Sequence, residues 1–179
     1  MALIGYRVDA LRARLGALWH RWLGLQVGSG VQIHPGARLR HGSGCAIGDA
    51  SILYRDVQVL ATEGGTFRIG RGSHIAPMGY LLVGPSKLVI GDGVAIGPQL
   101  ALFCQTNGTR PAQPFAQQRR QAPVHIGNNV YIGAHVTVLP GAHIEDNVVV
   151  AAQSVVRGRL ASGWIYGGAP ARPLRQIQA

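Results

Sequence analysis

The sequence has little of several features that mark specialised classes of protein. Only two of its 179 residues are cysteine, which excludes a disulfide framework and favours buried thiols in a reducing cytoplasm. No run of 18 apolar residues occurs, so no transmembrane helix is expected. The first fifteen residues contain arginines but no long apolar segment, so a signal peptide is not expected either. Intrinsic disorder is also not expected, because 47% of the residues are hydrophobic, which suffices for a core.

Charge is scarce and strongly unbalanced. Charged residues make up 13% of the chain, where about a quarter is usual. Seventeen basic residues face seven acidic ones, giving a formal net charge of +10 and indicating an anionic partner. The sequence contains no basic run, and its aromatic residues (6%) are not interleaved with arginines, so nucleic acid is not the expected partner.

Glycine is abundant, with 26 residues, and accompanies a repeat of six residues. Aliphatic residues recur at this step in the second half of the chain, at Ile126, Ile132, Val138, Ile144, Val150 and Val156. The residue two places earlier is usually small or branched, and in a strand both side chains point to the same face. Each hexad therefore predicts a short strand and a turn, and three hexads predict one triangular coil. Eighteen such units in groups of three predict an all-β protein of about six stacked coils.

Four insertions interrupt the repeat, each after the third unit of a coil. The spacing exceeds six between Leu39 and Ile47, between Val59 and Ile69, between Leu81 and Ile90, and between Leu102 and Ile126. All four insertions should thus lie at one corner of the prism. The longest, residues 104–122, predicts a protruding loop, and insertions on one edge of a solenoid usually mark its working face.

The segment before the repeats has helical periodicity. Val8, Leu11, Leu15, Leu18 and Trp22 recur at three- and four-residue steps within a helix predicted from about residue 7 to residue 23. Two interpretations remain open: a helix that covers the first coil, or a basic amphipathic helix lying on a membrane surface. We divide the chain into the helix (1–24), the repeats (25–160) and a tail (161–179) that should leave the stack and fold back over it.

These repeats resemble the hexapeptide-repeat acyltransferases. The segments IGNNVYIGAHVTVLPGAHIEDNVVVAAQSVV and GGAPARPLR resemble galactoside and maltose acetyltransferases and colanic-acid type polysaccharide O-acetyltransferases. The resemblance implies a left-handed parallel β-helix, a homotrimer and acetyl-CoA as co-substrate. It also implies a sugar, nucleotide-sugar or polysaccharide acceptor, with O-acetylation of a surface polysaccharide or its precursor. The expected location is the cytoplasm, or the inner face of the membrane if the helix binds there.

Positions carried over from the family place the cofactor in the second half of the chain. Small residues would let an extended pantetheine arm approach the backbone, and arginines suit the CoA phosphates. The expected cofactor-binding residues are Tyr131, Gly133, Ala134, Ala152, Arg157, Arg172 and Arg175.

The acceptor side departs from the family pattern. Acetyl transfer to a hydroxyl needs a base, and the position of the family histidine aligns with Asn107, whose amide cannot accept the proton. A family asparagine at the acceptor aligns with Pro77. We name His74 as the candidate base in place of the family histidine. The loop offers substrate-binding groups at Gln105, Thr106, Arg110, Arg119 and Arg120.

Two alternatives stay open at this point, and a third does not fit the sequence. The chain could be a weakened or inactive homologue that serves as a trimeric scaffold, or it could acetylate an amine, which needs less help from a base. A γ-type carbonic anhydrase shares the prism but needs three convergent histidine ligands. The spacing of His74, His135 and His143 does not match that requirement, so no metal site is expected.

Overall fold

The computed structural model describes residues 2–178, with side chains from residue 8 onward. Met1 of the predicted helix segment and Ala179 of the predicted tail lie outside the described residues. One helix, α1 (Ala2–Trp22), precedes the repeats and begins earlier than predicted. The strands then follow in coils. The first two coils comprise β1 (Gln26–Val27), β2 (Gln32–Ile33), β3 (Arg38–Arg40), β4 (Ala46–Ile47), β5 (Ile52–Leu53) and β6 (Gln58–Ala61). The next two comprise β7 (Thr66–Ile69), β8 (His74–Ile75), β9 (Tyr80–Gly84), β10 (Lys87–Ile90), β11 (Ala95–Ile96) and β12 (Ala101–Phe103).

An excursion and the last coils follow. The excursion holds β13 (Gln105–Thr106), a short 3-10 helix (Phe115–Gln117) and β14 (Arg120–Gln121). The remaining strands are β15 (Val124–Ile126), β16 (Tyr131–Ile132), β17 (Thr137–Val138), β18 (His143–Ile144), β19 (Val149–Val150), β20 (Val155–Val156), β21 (Arg159–Leu160), β22 (Trp164–Gly167) and β23 (Arg172–Gln176).

The coil strands stack into three parallel sheets, one for each side of a triangular prism. Face A begins with β1, face B with β2 and face C with β3, and each strand pairs with its equivalent in the next coil. Among the described strands, only the pairs β13–β14 and β22–β23 are antiparallel. The predicted fold class, a hexapeptide-repeat β-helix of about six coils with one N-terminal helix, is confirmed.

The core is a set of aliphatic ladders, because the hexad repeat places equivalent side chains directly above one another. On face B the ladder is buried and consists of Ile33, Leu53, Ile75, Ile96, Ile132 and Val150. Burial of each such side chain contributes about 1.5–3 kcal/mol relative to exposure. Two of the buried serines donate to backbone carbonyls of the following coil: Ser51 Oγ to Gly70 O (2.7 Å) and Ser73 Oγ to Gly91 O (2.8 Å).

The four insertions lie at the corner between face C and face A, as the spacing predicted, because each separates a third strand from the next first strand. The tail differs from its prediction. Strands β21 and β22 continue the stack as a partial seventh coil, in which Tyr166 extends the ladder above Val150. Only β23 folds back, antiparallel to β22.

The helix covers the first coil with an unexpected side. Ala13 and Ala17 are buried, and a Cβ on Gly16 would lie 2.5 Å from the carbonyl oxygen of Ile33. Leu15 and Trp22 of the predicted apolar stripe are 55% and 76% exposed. Small side chains allow the closest approach of the helix to the coil, so the large ones are left outside.

Candidate functional site

Small residues line the corner between face B and face C in the last coils. Gly133 is buried, and a Cβ there would lie 2.6 Å from the backbone nitrogen of Ala152 in the next coil. Ala134 follows it half-buried, and Ala152 is exposed. The structure therefore brings these three predicted residues together. Close stacking of the coils requires Gly133 to be small, while Ala134 and Ala152 leave the surface of the corner free of long side chains.

The tail turn packs beside this corner. The backbone of Val155 donates to Gly168 O (2.9 Å) and accepts from Ala171 N (2.8 Å) through its own carbonyl. Ser154 Oγ accepts a further bond from Gly168 N (3.1 Å). The GGAPAR turn is thereby fixed to the last strand of face C.

This anchoring fixes the positions of the two arginines of the tail. In β23, Arg172 lies opposite Gly167 and Arg175 opposite Ile165, and both arginine side chains are exposed. Arg172 therefore presents positive charge beside the small-residue corner, whereas Arg175 lies above Val149 and Tyr131 at the other end of the face B strands.

Two other predicted cofactor residues lie farther away. Tyr131 begins the face B strand that ends at this corner, and it is 52% exposed between Ala95 and Val149. Tyr131 lines a groove of about 460 Å³ that extends to Ile177 of the tail. Arg157 follows β20 at the corner between face C and face A, so face C separates it from Ala152.

The long insertion folds into an arm rather than an irregular loop. Gln105 and Thr106 pair with Gln121 and Arg120 in a two-stranded antiparallel ladder. Beyond this ladder the arm encloses a cavity of about 610 Å³. Its lining includes all three predicted substrate-binding arginines, Arg110, Arg119 and Arg120, together with Gly108, Thr109, Gln113, Gln117 and Gln118.

One side chain holds the arm together. Gln118 is buried, and its Nε2 donates to the carbonyl oxygens of Arg110 and Gln113, both at 2.7 Å. Its Oε1 accepts from Arg110 N (3.0 Å). No sequence pattern indicates the role of Gln118, because nothing in a glutamine-rich segment distinguishes the glutamine that turns inward.

Asn107 stands at the root of the arm in contact with Arg119. The Arg119 guanidinium donates from Nη1 to Asn107 Oδ1 (2.9 Å) and to Ala116 O (2.7 Å). The amide oxygen of Asn107 is thus already occupied by a cation. A neutral amide cannot serve as a base, so this position orients groups rather than accepting a proton.

Three of the candidate histidines lie on two faces of the prism. His74 points outward on face B, edge-on to the ring of Tyr54 (6.2 Å between centroids), and not at the corner where the arm leaves. His125, just after the arm, and His143 of the next coil occupy equivalent places on face A, with rings stacked at 4.7 Å. Burial lowers the pKa of His125, His143 lowers it further, and Asp146 opposes the shift. These surroundings therefore favour the neutral imidazole of His125 over its charged form.

A smaller pocket lies between the helix and the early coils. It has a volume of about 240 Å³ and is lined in part by His34, Tyr54 and Pro77. Arg55 Nη2 donates to Asp9 Oδ2 of the helix (2.6 Å), and the rings of His34 and Tyr54 stack at 5.3 Å. No sequence pattern indicates this pocket, because Asp9 lies 46 residues before its partner.

Two further properties concern the described residues as a whole. Within residues 2–178, no group of three histidine, cysteine or acidic side chains is arranged to hold a metal ion. The described helix is not long and apolar enough to cross a membrane.

Comparison with known proteins shows similarity to acyltransferases. The family model "Bacterial transferase hexapeptide (six repeats)" matches residues 123–158, the two coils that carry the small-residue corner. The galactoside O-acetyltransferase of Escherichia coli K12 is 32% identical over 119 residues, which are 66% of this chain and 58% of that protein. A putative lipopolysaccharide biosynthesis O-acetyl transferase, WbbJ, of the same organism is 40% identical over 63 residues (35% and 32% of the two chains). The chain thus spans less than two thirds of the length of these relatives.

Solved structures agree with the fold. AntD, an N-acyltransferase from Bacillus cereus in complex with dTDP and 3-hydroxybutyryl-CoA, superposes with a TM-score of 0.76 at 23% identity. The match covers 88% of this chain and 86% of that one. A maltose O-acetyltransferase from Clostridium difficile 630 gives a TM-score of 0.61 at 24% identity, over 86% and 70% of the two chains. At these identities the superpositions bear on the fold alone.

Proposed function

We propose that this chain, a hexapeptide-repeat β-helix protein similar to known acyltransferases, is an acetyl-CoA-dependent acetyltransferase that acts on a sugar. One observation carries the proposal: the small-residue corner of Gly133, Ala134 and Ala152 is continuous with the anchored GGAPAR turn and its arginines. An extended ligand with amide groups needs such a strip to approach a backbone, and a phosphorylated ligand needs cations at one end.

The corner and the tail together fit the two ends of acetyl-CoA. In this arrangement the pantetheine arm follows Ala134 and Ala152, and the phosphates lie near Arg172 and Arg175. Tyr131 lies at the start of β16, the face B strand that ends at the small-residue corner. Arg157 and the arm are at the other edge of face C, so in a homotrimer they would approach the cofactor of a neighbouring subunit. We therefore propose a trimer in which two chains complete each site.

The acceptor chemistry follows from the arm. A sugar hydroxyl attacks the thioester carbonyl, the carbon–sulfur bond breaks, and the hydroxyl proton must leave. Asn107 does not accept this proton, whereas His125 stands three residues after the arm, and its surroundings favour the neutral form that can accept a proton. The arginines of the arm suit an acidic or phosphate-bearing sugar. We propose a surface polysaccharide or its nucleotide-linked precursor as acceptor, acetylated in the cytoplasm, where acetyl-CoA is available.

A second candidate function is a trimeric scaffold that has lost catalysis. The contact between Arg119 and Asn107 favours it, because a cation now occupies the atom where a base would be needed. In this case CoA binding would persist without transfer.

The experiment measures release of CoA thiol from acetyl-CoA with hexoses, amino sugars and nucleotide-linked sugars as acceptors. If the chain is an enzyme, we expect acceptor-dependent release that falls at least about 100-fold in His125→Gln, since a general base contributes roughly 100- to 10,000-fold. His74→Gln serves as the matched control and should retain the rate of the unchanged protein. Saturable CoA binding with no release for any acceptor would support the scaffold instead, and release only with amino sugars would identify N-acetylation.

A further inference from the structure

The N-terminal helix is fixed in its rotation by its small residues. Ala13 and Ala17 are buried, and Gly16 allows the helix backbone to touch Ile33 of the first coil. A helix advances about 100° per residue, so these three positions define one side. That side cannot turn away without losing the close contact, and the opposite side is therefore held outward.

The outward side carries half of the large exposed apolar residues of the described chain. We call this surface the exposed helix face: Val8, Leu11, Leu15, Leu18, Trp19 and Trp22, between 40% and 76% exposed. Trp19 and Trp22 stack on each other with ring centroids 5.3 Å apart. Contiguous apolar patches of this kind are rare on monomers and mark interaction sites.

Positive charge borders this face on both flanks. By the same helical spacing, Arg12 lies at one edge of the apolar strip, and Arg14 and Arg21 lie at the other. All three arginines are exposed. The single acidic residue of the helix, Asp9, is paired with Arg55 on the side of the coils. An apolar centre with cationic edges and tryptophans complements an anionic lipid surface.

We propose that the exposed helix face docks this protein in the plane of an anionic membrane, with Leu11, Leu15 and Leu18 entering the interface. The helix lies on the surface and does not cross it. Docking is independent of acetyl transfer, since no residue of this face lies at the small-residue corner or in the arm. It would hold the first coil toward the lipid and leave the last coils and the arm in solution.

The test measures binding of the full chain to phosphatidylglycerol and phosphatidylcholine vesicles by flotation. The principal variant is L11Q/L15Q/L18Q. A matched control, M78Q/F115Q/L174Q, changes three apolar residues of similar exposure (52–61%) elsewhere on the surface. A charge variant, R14Q/R21Q, alters no apolar contact and serves if the leucine variant folds poorly. In a Trp164→Phe background, fluorescence reports only Trp19 and Trp22.

We expect binding to phosphatidylglycerol vesicles, with a blue shift of tryptophan emission, and little binding to phosphatidylcholine. The leucine variant should bind at least about tenfold more weakly, since binding scales with buried apolar area. The charge variant should lose about fivefold per arginine, roughly 25-fold in all, and added salt should weaken binding of the unchanged protein. No binding to phosphatidylglycerol, or equal loss in the matched control, would overturn the proposal. The proposal would also be overturned if the unchanged protein did not bind vesicles and the leucine variant formed a smaller oligomer. That result would assign the exposed helix face to contact between copies of the chain.

Discussion

Replacement of Gln118 by alanine is the sharpest test of how the arm is built. The side chain is buried within the arm and makes three hydrogen bonds, two to Arg110 and one to Gln113. Alanine removes all three and leaves the aliphatic core of the coils untouched. The arm should therefore open while the prism remains folded.

The size of the effect follows from the bonds. A protein hydrogen bond contributes about 0.5–1.5 kcal/mol net, so three contribute about 3 kcal/mol. Loss of this amount raises the open population of the arm roughly 100-fold, because about 1.4 kcal/mol corresponds to a factor of ten. The melting temperature should change by less than about 2 °C, since the core is unchanged.

The assay is limited trypsin digestion, which cleaves after Arg119 and Arg120 when the arm opens. Under conditions where opening is fast relative to cleavage, the cleavage rate follows the open population. Gln117→Ala is the matched control, because Gln117 is an exposed neighbour in the same segment. Equal cleavage rates in Gln118→Ala and Gln117→Ala would refute the role assigned to Gln118.

Three further predictions concern the prism. Gly133→Ala should lower the free energy of unfolding by about 1–3 kcal/mol in urea titration, because the added Cβ would meet the next coil. Gly42→Ala is the control: Gly42 has open space around it, so this change should alter the free energy of unfolding by less than about 0.5 kcal/mol. Hydrogen bonds from the Asn128 backbone and amide lower the pKa of Asp146, so its contribution to stability is complete above about pH 4 and is lost as the pH falls through the lowered value. In Asp146→Asn the free energy of unfolding should therefore fall less steeply as the pH is lowered. An unchanged fall at acidic pH would contradict this role of Asp146. Burial raises the pKa of Cys104 to about 12, so a thiol reagent at pH 8 should modify it only as the chain unfolds, and rapid labelling of the native protein would be the contrary result.

Much of the fold was predictable because its signal is local and periodic. The step from Ile126 to Ile132 recurs, and each repeat stacks an aliphatic residue on its equivalent, so register follows from counting. The corner of the four insertions followed from the same count. The partial seventh coil was missed, since Leu160 comes four residues after Val156 and breaks the step of six.

The contacts of the helix and of the arm could not be predicted from periodicity. The apolar stripe at Leu11 and Leu15 predicted a helix correctly but did not say which side would pack. Backbone proximity at Gly16 decided that, and it depends on the shape of the first coil. Contacts such as Arg119 with Asn107 depend on the path of the arm, which no repeat specifies.

Calorimetric titration of CoA into the protein tests the central claim most directly. We expect saturable binding, with one site for each subunit, that weakens at least about 100-fold in R172Q/R175Q, because charge-assisted bonds to phosphate contribute about 1.5–3 kcal/mol each and two are lost. Absence of CoA binding, or equal affinity in the double variant, would contradict the assignment of the small-residue corner and the tail to the cofactor.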